Sequence, residues 1–160
     1  MVFKSWKLFL FFALAIMFLQ LTPGNLKAEV SNFTYTLSGT EATITGYSGP
    51  GGAVVIPSDI DGYTVTAIGS NAFYGKTSIT SVTIPETVSS IGLQAFMSCE
   101  NLSSVTLPDS LKSIGKNAFA RCVILTSITL GSEMETIGER AFYNCPKLAT
   151  VNIASGSIGP

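Results

Sequence analysis

The sequence predicts an α/β repeat solenoid in which each coil contributes a short strand and a short helical turn. Two observations carry this. Residues 82–102, VTIPETVSSIGLQAFMSCENL, are rewritten at 105–125 as VTLPDSLKSIGKNAFARCVIL and at 128–148 as ITLGSEMETIGERAFYNCPKL. The anchors recur at a step of 23 residues: Ile84, Leu107, Leu130 and Ile153; Ile91, Ile114 and Ile137; Phe96, Phe119 and Phe142; Cys99, Cys122 and Cys145. A fixed period of this length, with apolar positions locked in register, is the pattern of stacked repeats, because no single coil can bury its own apolar face.

Residues 1–28 divide into a basic start (Lys4, Lys7), an apolar run over 8–21 and a Pro23-Gly24 breaker, with a cut point after Leu26-Lys27-Ala28. This is the pattern of a secretory signal peptide, so the chain is expected to be secreted or held at the cell surface. The apolar run is shorter than the roughly 20 residues that cross a bilayer as a helix, so no stable membrane span is expected once the signal is cleaved.

Residues 29–56 are read as an N-terminal β cap. Phe33, Tyr35 and Leu37 alternate with Thr34 and Thr36, Gly39 intervenes, and Ala42 and Ile44 alternate with Thr43 and Thr45. Period-two alternation broken by a small-residue turn is a β-hairpin signal. Such a hairpin suits the start of a solenoid, whose ends expose unpaired strand edges and apolar core.

Residues 57–160 are read as about four repeats, the last incomplete. Ile56-Pro57 precedes Ile84-Pro85 by 28 residues rather than 23, which places a five-residue insertion around 59–65, with Asp61-Gly62 as its turn. Insertions in repeats are surface loops, often on a binding face, and an adapter between cap and coils is the alternative. Within a regular coil, Leu102, Val105 and Leu107 point inward while Ser104 and Thr106 point out. Pro108 ends the strand because it has no donor for the ladder. Gly115 is expected to supply a backbone conformation other residues avoid. Ala118-Phe119, Cys122 and Leu125 stand at helical intervals, so a short helical turn is expected on the convex side.

The run Ile84-Pro85, Ile91-Gly92, Ala95-Phe96, Cys99, Leu102 resembles the BspA-type, or treponemal-class, leucine-rich repeats, over roughly residues 54–153. The lead-in IPSDIDGYTVTAIG at 56–69 is similar to that family's entry repeat. Three departures stand out: Lys76 replaces the cysteine of the first repeat, Gly131 replaces proline in the third, and the last coil stops after its strand. The resemblance implies a leucine-rich repeat fold of 23-residue period and a role in adhesion or interaction with host or neighbouring-cell ligands. It carries over no binding residue, because the shared motif is scaffold.

Composition narrows the chemistry. Histidine is absent, which removes the commonest general base and metal ligand, so no enzyme activity and no cofactor are expected. Loss of residues 1–28 takes three of nine basic residues and leaves six against ten acidic ones, scattered along the chain. Nucleic acid, which needs clustered Lys and Arg, is not an expected partner. Glu86 and Asp109 occupy equivalent positions, with Ser132 third in that row, and read as a solvated face. Cys99, Cys122 and Cys145 stand at an inward position; they read as free core thiols or as one disulfide between adjacent coils, whereas a metal site prefers closer thiolate spacing.

The outward strand positions are the candidate binding surface. Ser81, Ser104, Ser127 and Thr150 form one row, and Thr83, Thr106, Thr129 and Asn152 another. Stacked at roughly 4.8 Å on the concave side, short hydroxyls can hydrogen-bond a partner's backbone or a glycan with little loss of side-chain entropy. Exposed Ser and Thr are also simply good strand residues. The expected function is protein or glycan binding at the cell surface. The alternative is a structural spacer or a fragment of a longer surface protein without a ligand of its own. The last strand, over 151–153, leaves an edge open to self-association.

Overall fold

The computed structural model describes residues 32–154. The strands are β1 (Phe33–Ser38), β2 (Glu41–Tyr47), β3 (Gly52–Val55), β4 (Asp59–Ile60), β5 (Tyr63–Ile68), β6 (Ile79–Thr83), β7 (Ser90–Ile91), β8 (Ser104–Thr106), β9 (Ser113–Ile114), β10 (Ser127–Leu130), β11 (Thr136–Ile137) and β12 (Thr150–Ile153). They stack as two parallel ladders around one apolar core. The first ladder runs β3, β6, β8 and then β10, β12; the second runs β2, β5, β7, β9, β11. The 23-residue step becomes spatial register: Val82 lies against Val105, Ile68 against Ile91, Ile91 against Ile114 and Ile114 against Ile137.

The third side of each coil corrects the expectation of helical turns. Among the described residues there is no α-helix. The N–H groups of Ala72, Tyr74 and Lys76 return to carbonyls three residues back, at 3.4, 3.0 and 3.2 Å. Those of Asn71, Phe73 and Gly75 instead donate to Leu93, Ala95 and Met97 of the next coil, at 2.9, 2.7 and 2.8 Å. This alternation needs left-handed backbone twice per coil. It occurs at Asn71, Gln94, Asn117 and Arg140, with φ of 60°, 55°, 56° and 58°, and at Gly75, Ser98, Arg121 and Asn144, with φ of 67°, 60°, 63° and 55°.

An α-helix would direct its N–H groups back along its own axis rather than to the next coil and would be about 10–12 Å wide. The turn side has no such room. Phe73, Phe96, Phe119 and Phe142 stack as nearly parallel rings with centroids 4.8, 5.1 and 5.7 Å apart. That is close to the ~4.8 Å between hydrogen-bonded strands, so the ring column keeps step with the strand ladders.

The Ile-Gly glycine is also required for another reason than the one expected. Gly92, Gly115 and Gly138 do not have positive φ. A Cβ on Gly115 would sit 2.6 Å from the carbonyl carbon of Gly92, and one on Gly138 would sit 2.4 Å from the nitrogen of Lys116. Glycine recurs because consecutive backbones pass too closely for a side chain. At Gly131, where Pro85 and Pro108 stand in the two preceding coils, a Cβ would lie 2.5 Å from Asp109 Cα, so this coil sits closer to its neighbour at that point.

At the N-terminal end, β1 and β2 form an antiparallel hairpin whose Gly39, at φ 61°, supplies the turn. Phe33 and Tyr47 continue the ring stack onto Phe73, with centroids 6.4 and 5.4 Å away. The insertion is a second small hairpin, β4 against β5 through Asp61-Gly62, both at positive φ. Tyr35 donates its hydroxyl to Asp61 Oδ2 at 2.7 Å, and Thr64 N–H donates to the Thr40 carbonyl at 3.1 Å. The hydrogen bond to the Asp61 carboxylate, ahead of all other causes, holds the Tyr35 phenol above its usual range. The insertion is therefore sewn to the first hairpin, as the adapter reading requires, and Ile60 lies fully buried beneath it.

Candidate binding face

The first ladder sets the outward hydroxyls in register. Ser81 pairs with Ser104 and Thr83 with Thr106 in one block; Ser127 pairs with Thr150 and Thr129 with Asn152 in the next. Thr83, Ser104, Thr106, Ser127, Thr129 and Asn152 are exposed and Ser81 is half-buried, while Val82, Val105 and Ile128 between them are buried. Alternation in each strand thus separates a solvent-facing polar row from the core-facing apolar one.

The two blocks are not one continuous ladder. No paired register joins β8 to β10, and Thr126 N–H reaches the Ser103 carbonyl at 3.5 Å, against 2.9 and 3.0 Å for the equivalent Ser103–Thr80 and Ala149–Thr126 links. Ser104 and Ser127 belong to the same row of the fold but to different hydrogen-bonded sheets. Sequence reasoning also missed the start of the face. β3 lies beside β6, with Ala53 against Ser81 and Val55 against Thr83. Val55 is 43 % exposed, so the Thr83 row begins on an apolar residue. The short apolar strand was visible in the sequence, but the 28-residue offset concealed its register.

The flanking hydroxyls serve the scaffold. Ser103 Oγ donates to the Thr80 carbonyl at 3.0 Å and Ser110 Oγ to the Glu86 carbonyl at 2.7 Å, each tying one coil to the one before. Asn101 donates its amide to the Thr77 carbonyl at 2.9 Å.

The cysteine column is inside and free of disulfides. Cys99 and Cys122 are buried and Cys145 is half-buried. Their thiols donate to the carbonyls of Phe73, Phe96 and Phe119, one coil back, at 3.1, 3.3 and 3.1 Å. Burial pushes the Cys99 thiol up to about 11 and raises Cys122 and Cys145 as well. These are protonated core groups, the opposite of a reactive thiolate. Among the described residues, no group of three or more Cys, Asp and Glu is placed to hold a metal.

The carboxylates are a solvated face. Glu86 and Asp109 are exposed. Glu139 accepts from Lys116 at 2.6 Å, and that bond holds its carboxyl below the usual range. Lys112 and Glu135, 3.9 Å apart, make a second exposed pair. Pairs of this kind contribute little to stability.

The BspA type leucine rich repeat region matches residues 63–159 in six copies. The chain belongs to this family. As a BspA-type chain it shares its fold with solved relatives. It is 34 % identical to the T. pallidum leucine rich repeat protein TpLRR, covering 76 % of this chain and 68 % of that one, with a TM-score of 0.65. It is 36 % identical to a leucine-rich repeat protein from Bacteroides capillosus, covering 78 % and 95 %, with a TM-score of 0.69. A leucine rich cell surface protein from Faecalibacterium prausnitzii is 28 % identical, with 76 % of this chain and 41 % of that one covered and a TM-score of 0.62. No match is found among curated proteins. The family match begins at residue 63, so the β1–β2 hairpin lies outside it. The signal-peptide expectation for residues 1–28 concerns residues outside those the structure describes.

Proposed function

We propose that this BspA-type chain is a non-enzymatic binding module, exported and held or released at the cell surface, whose ligand is a protein or a glycan. The observation that carries the reading is the exposed first-ladder face. Thr83, Ser104, Thr106, Ser127, Thr129 and Asn152 present short polar groups at strand spacing on a buried apolar backing. Such groups lose little entropy on binding and can bond either a peptide backbone or sugar hydroxyls. An extended ligand lying across the strands would meet these groups at strand spacing. The description of the F. prausnitzii relative as a cell surface protein supports the location, as does the signal pattern of residues 1–28.

The test is retention of extracellular-matrix proteins and surface glycans by the immobilised chain and by a variant carrying Thr83→Lys, Thr106→Glu and Thr129→Lys. Alternating the sign of charge avoids like-charge repulsion between neighbours on the ladder. The variant is expected to keep its melting temperature and lose the retained ligand. Retention unchanged by the three substitutions would move the binding site off this face. A parent chain that retains nothing would favour the spacer reading.

A further inference from the structure

The basic residues are dispersed in the sequence and gathered in the fold. Among the described residues six are basic and nine acidic. The turn side of each coil runs from a second-ladder strand to the next first-ladder strand, over residues 69–78, 92–103, 115–126 and 138–149. These segments hold five of the six basic residues, Lys76, Lys116, Arg121, Arg140 and Lys147, and two acidic ones, Glu100 and Glu139. The rest of the described chain has one base, Lys112, against seven acids. A chain with more acidic than basic residues thus carries its positive charge on one side, where it can draw in an anionic partner.

The last two segments concentrate that charge. Lys116, Arg121, Arg140 and Lys147 are exposed, and Glu139 is the one carboxylate in the same two segments. Lys116 Nζ at 2.6 Å and Arg140 Nε at 3.5 Å both reach Glu139, which offsets one charge of the four. The Arg140 guanidinium carbon lies 5.8 Å from the centre of the Tyr143 ring, and Tyr143 is 62 % exposed. The two arginines are held at a conformational cost. Arg121 and Arg140 occupy left-handed positions, at φ 63° and 58°, and Asn or Gly stands at four of the other six such positions on the turn side. Asparagine and glycine enter that region more readily than arginine. Core packing does not call for arginine there, because both residues are exposed. A cost with no gain inside the fold implies a role outside it.

We propose that the turn side over residues 115–126 and 138–149 binds an anionic polysaccharide, with its sulfate or carboxylate groups on Arg121, Arg140 and Lys147 and a sugar ring against Tyr143. Guanidinium groups bond such oxyanions through two N–H groups at once. Successive coils here stand 5.1 and 5.7 Å apart along the ring column, close to the length of one sugar residue in an extended chain. A polysaccharide running across the coils therefore meets a new turn with each sugar. An anionic membrane surface is the competing occupant. It is disfavoured because Tyr143 is the one exposed large hydrophobic in the two segments, too little apolar surface to enter a bilayer. The face lies on a different side of the coil from the first ladder, so the ligands of the two faces can be lost separately.

Chromatography of the full chain on immobilised heparin, with a sulfonated cation exchanger as reference, tests this. The chain is expected to elute from heparin at higher salt than from the exchanger and to ignore neutral dextran. The double variant Arg121→Asn, Arg140→Asn is expected to keep or raise the melting temperature and to weaken heparin binding at least about tenfold in titration. Asparagine suits the left-handed backbone, so the loss is separable from unfolding. Lys147→Gln, outside the left-handed positions, should lower the eluting salt as well. Elution at equal salt from both supports would reduce the effect to bulk charge and overturn the proposal. Heparin binding that survives the double substitution would overturn it too, by placing the contact elsewhere on the chain. Stronger binding to phosphatidylglycerol vesicles than to heparin, lost in the same variant, would assign the face to a membrane surface instead.

Discussion

Each thiol of the cysteine column donates to the phenylalanine carbonyl one coil back. Its contribution depends on remaining protonated. An unfolded thiol ionises near 9, whereas burial pushes the Cys99 thiol up to about 11 and raises Cys122 further in the same direction. Above pH 9 the unfolded chain releases protons that the folded chain keeps, so stability is full below that pH and falls as pH rises toward 11. For Cys99 alone the loss is roughly 2–3 kcal/mol across the interval. Urea unfolding as a function of pH should show the decline, and Cys99→Ala should flatten part of it. A slope unchanged by that substitution would place the alkaline sensitivity elsewhere. Half-buried Cys145 should be the first of the three to react with an alkylating agent in the native protein.

The element that distinguishes these coils is the turn side, where a left-handed residue recurs twice in each coil, four positions apart. Two substitutions one turn apart should act in opposite directions. Gly115→Ala forces a side chain into the backbone of Gly92, in a coil that cannot move without its neighbours, and should destabilise by about 1–3 kcal/mol. Arg121→Gly replaces an exposed residue held at φ 63° by one that adopts this conformation without steric cost, and should stabilise by up to about 1 kcal/mol. Thermal melts of the two variants check both signs. Gly115 reads in the sequence as a conformational glycine, but the structure uses it for close approach, and on the turn side Asn, Gln, Arg and Ser, with Gly75, take the positive φ. The signal was partly visible, since Asn71, Asn117 and Asn144 are residues tolerant of that region. Gln94, Arg121 and Arg140 gave no such hint.

At the scale of the whole molecule, stability is a chain of nearest-neighbour contacts with unequal ends. The N-terminal end is closed by Phe33 and Tyr47, whereas at the other end Phe142 is only half-buried and Ile153 is 73 % exposed. Phe119 stacks on both neighbours, so Phe119→Ala should cost about 3–5 kcal/mol and lower the stability of the entire array. Phe142→Ala removes a single stacked neighbour and should cost less, with faster hydrogen exchange confined to β11 and β12. Equal costs, or exchange spread evenly over all coils, would contradict a one-dimensional stack.

The repeat, its 23-residue period, the inward columns of Ile, Phe and Cys and the outward rows of Ser and Thr are all written in the residue order. Those features follow from which side chains water excludes, and a period written in register makes them legible. Residue order could not determine the backbone between the anchors. Ala118-Phe119, Cys122 and Leu125 are spaced as well for a helical turn as for a chain of stacked β-turns. The choice was made by the ~5 Å that neighbouring coils allow one another, a distance no single coil contains. The same limit applies to the binding face. Its residues were readable one by one, but the interruption between β8 and β10 and the apolar start at Val55 arise from how coils meet. Contacts between coils belong to the tertiary structure, and they decided both the absence of a helix and the shape of the surface offered to a ligand.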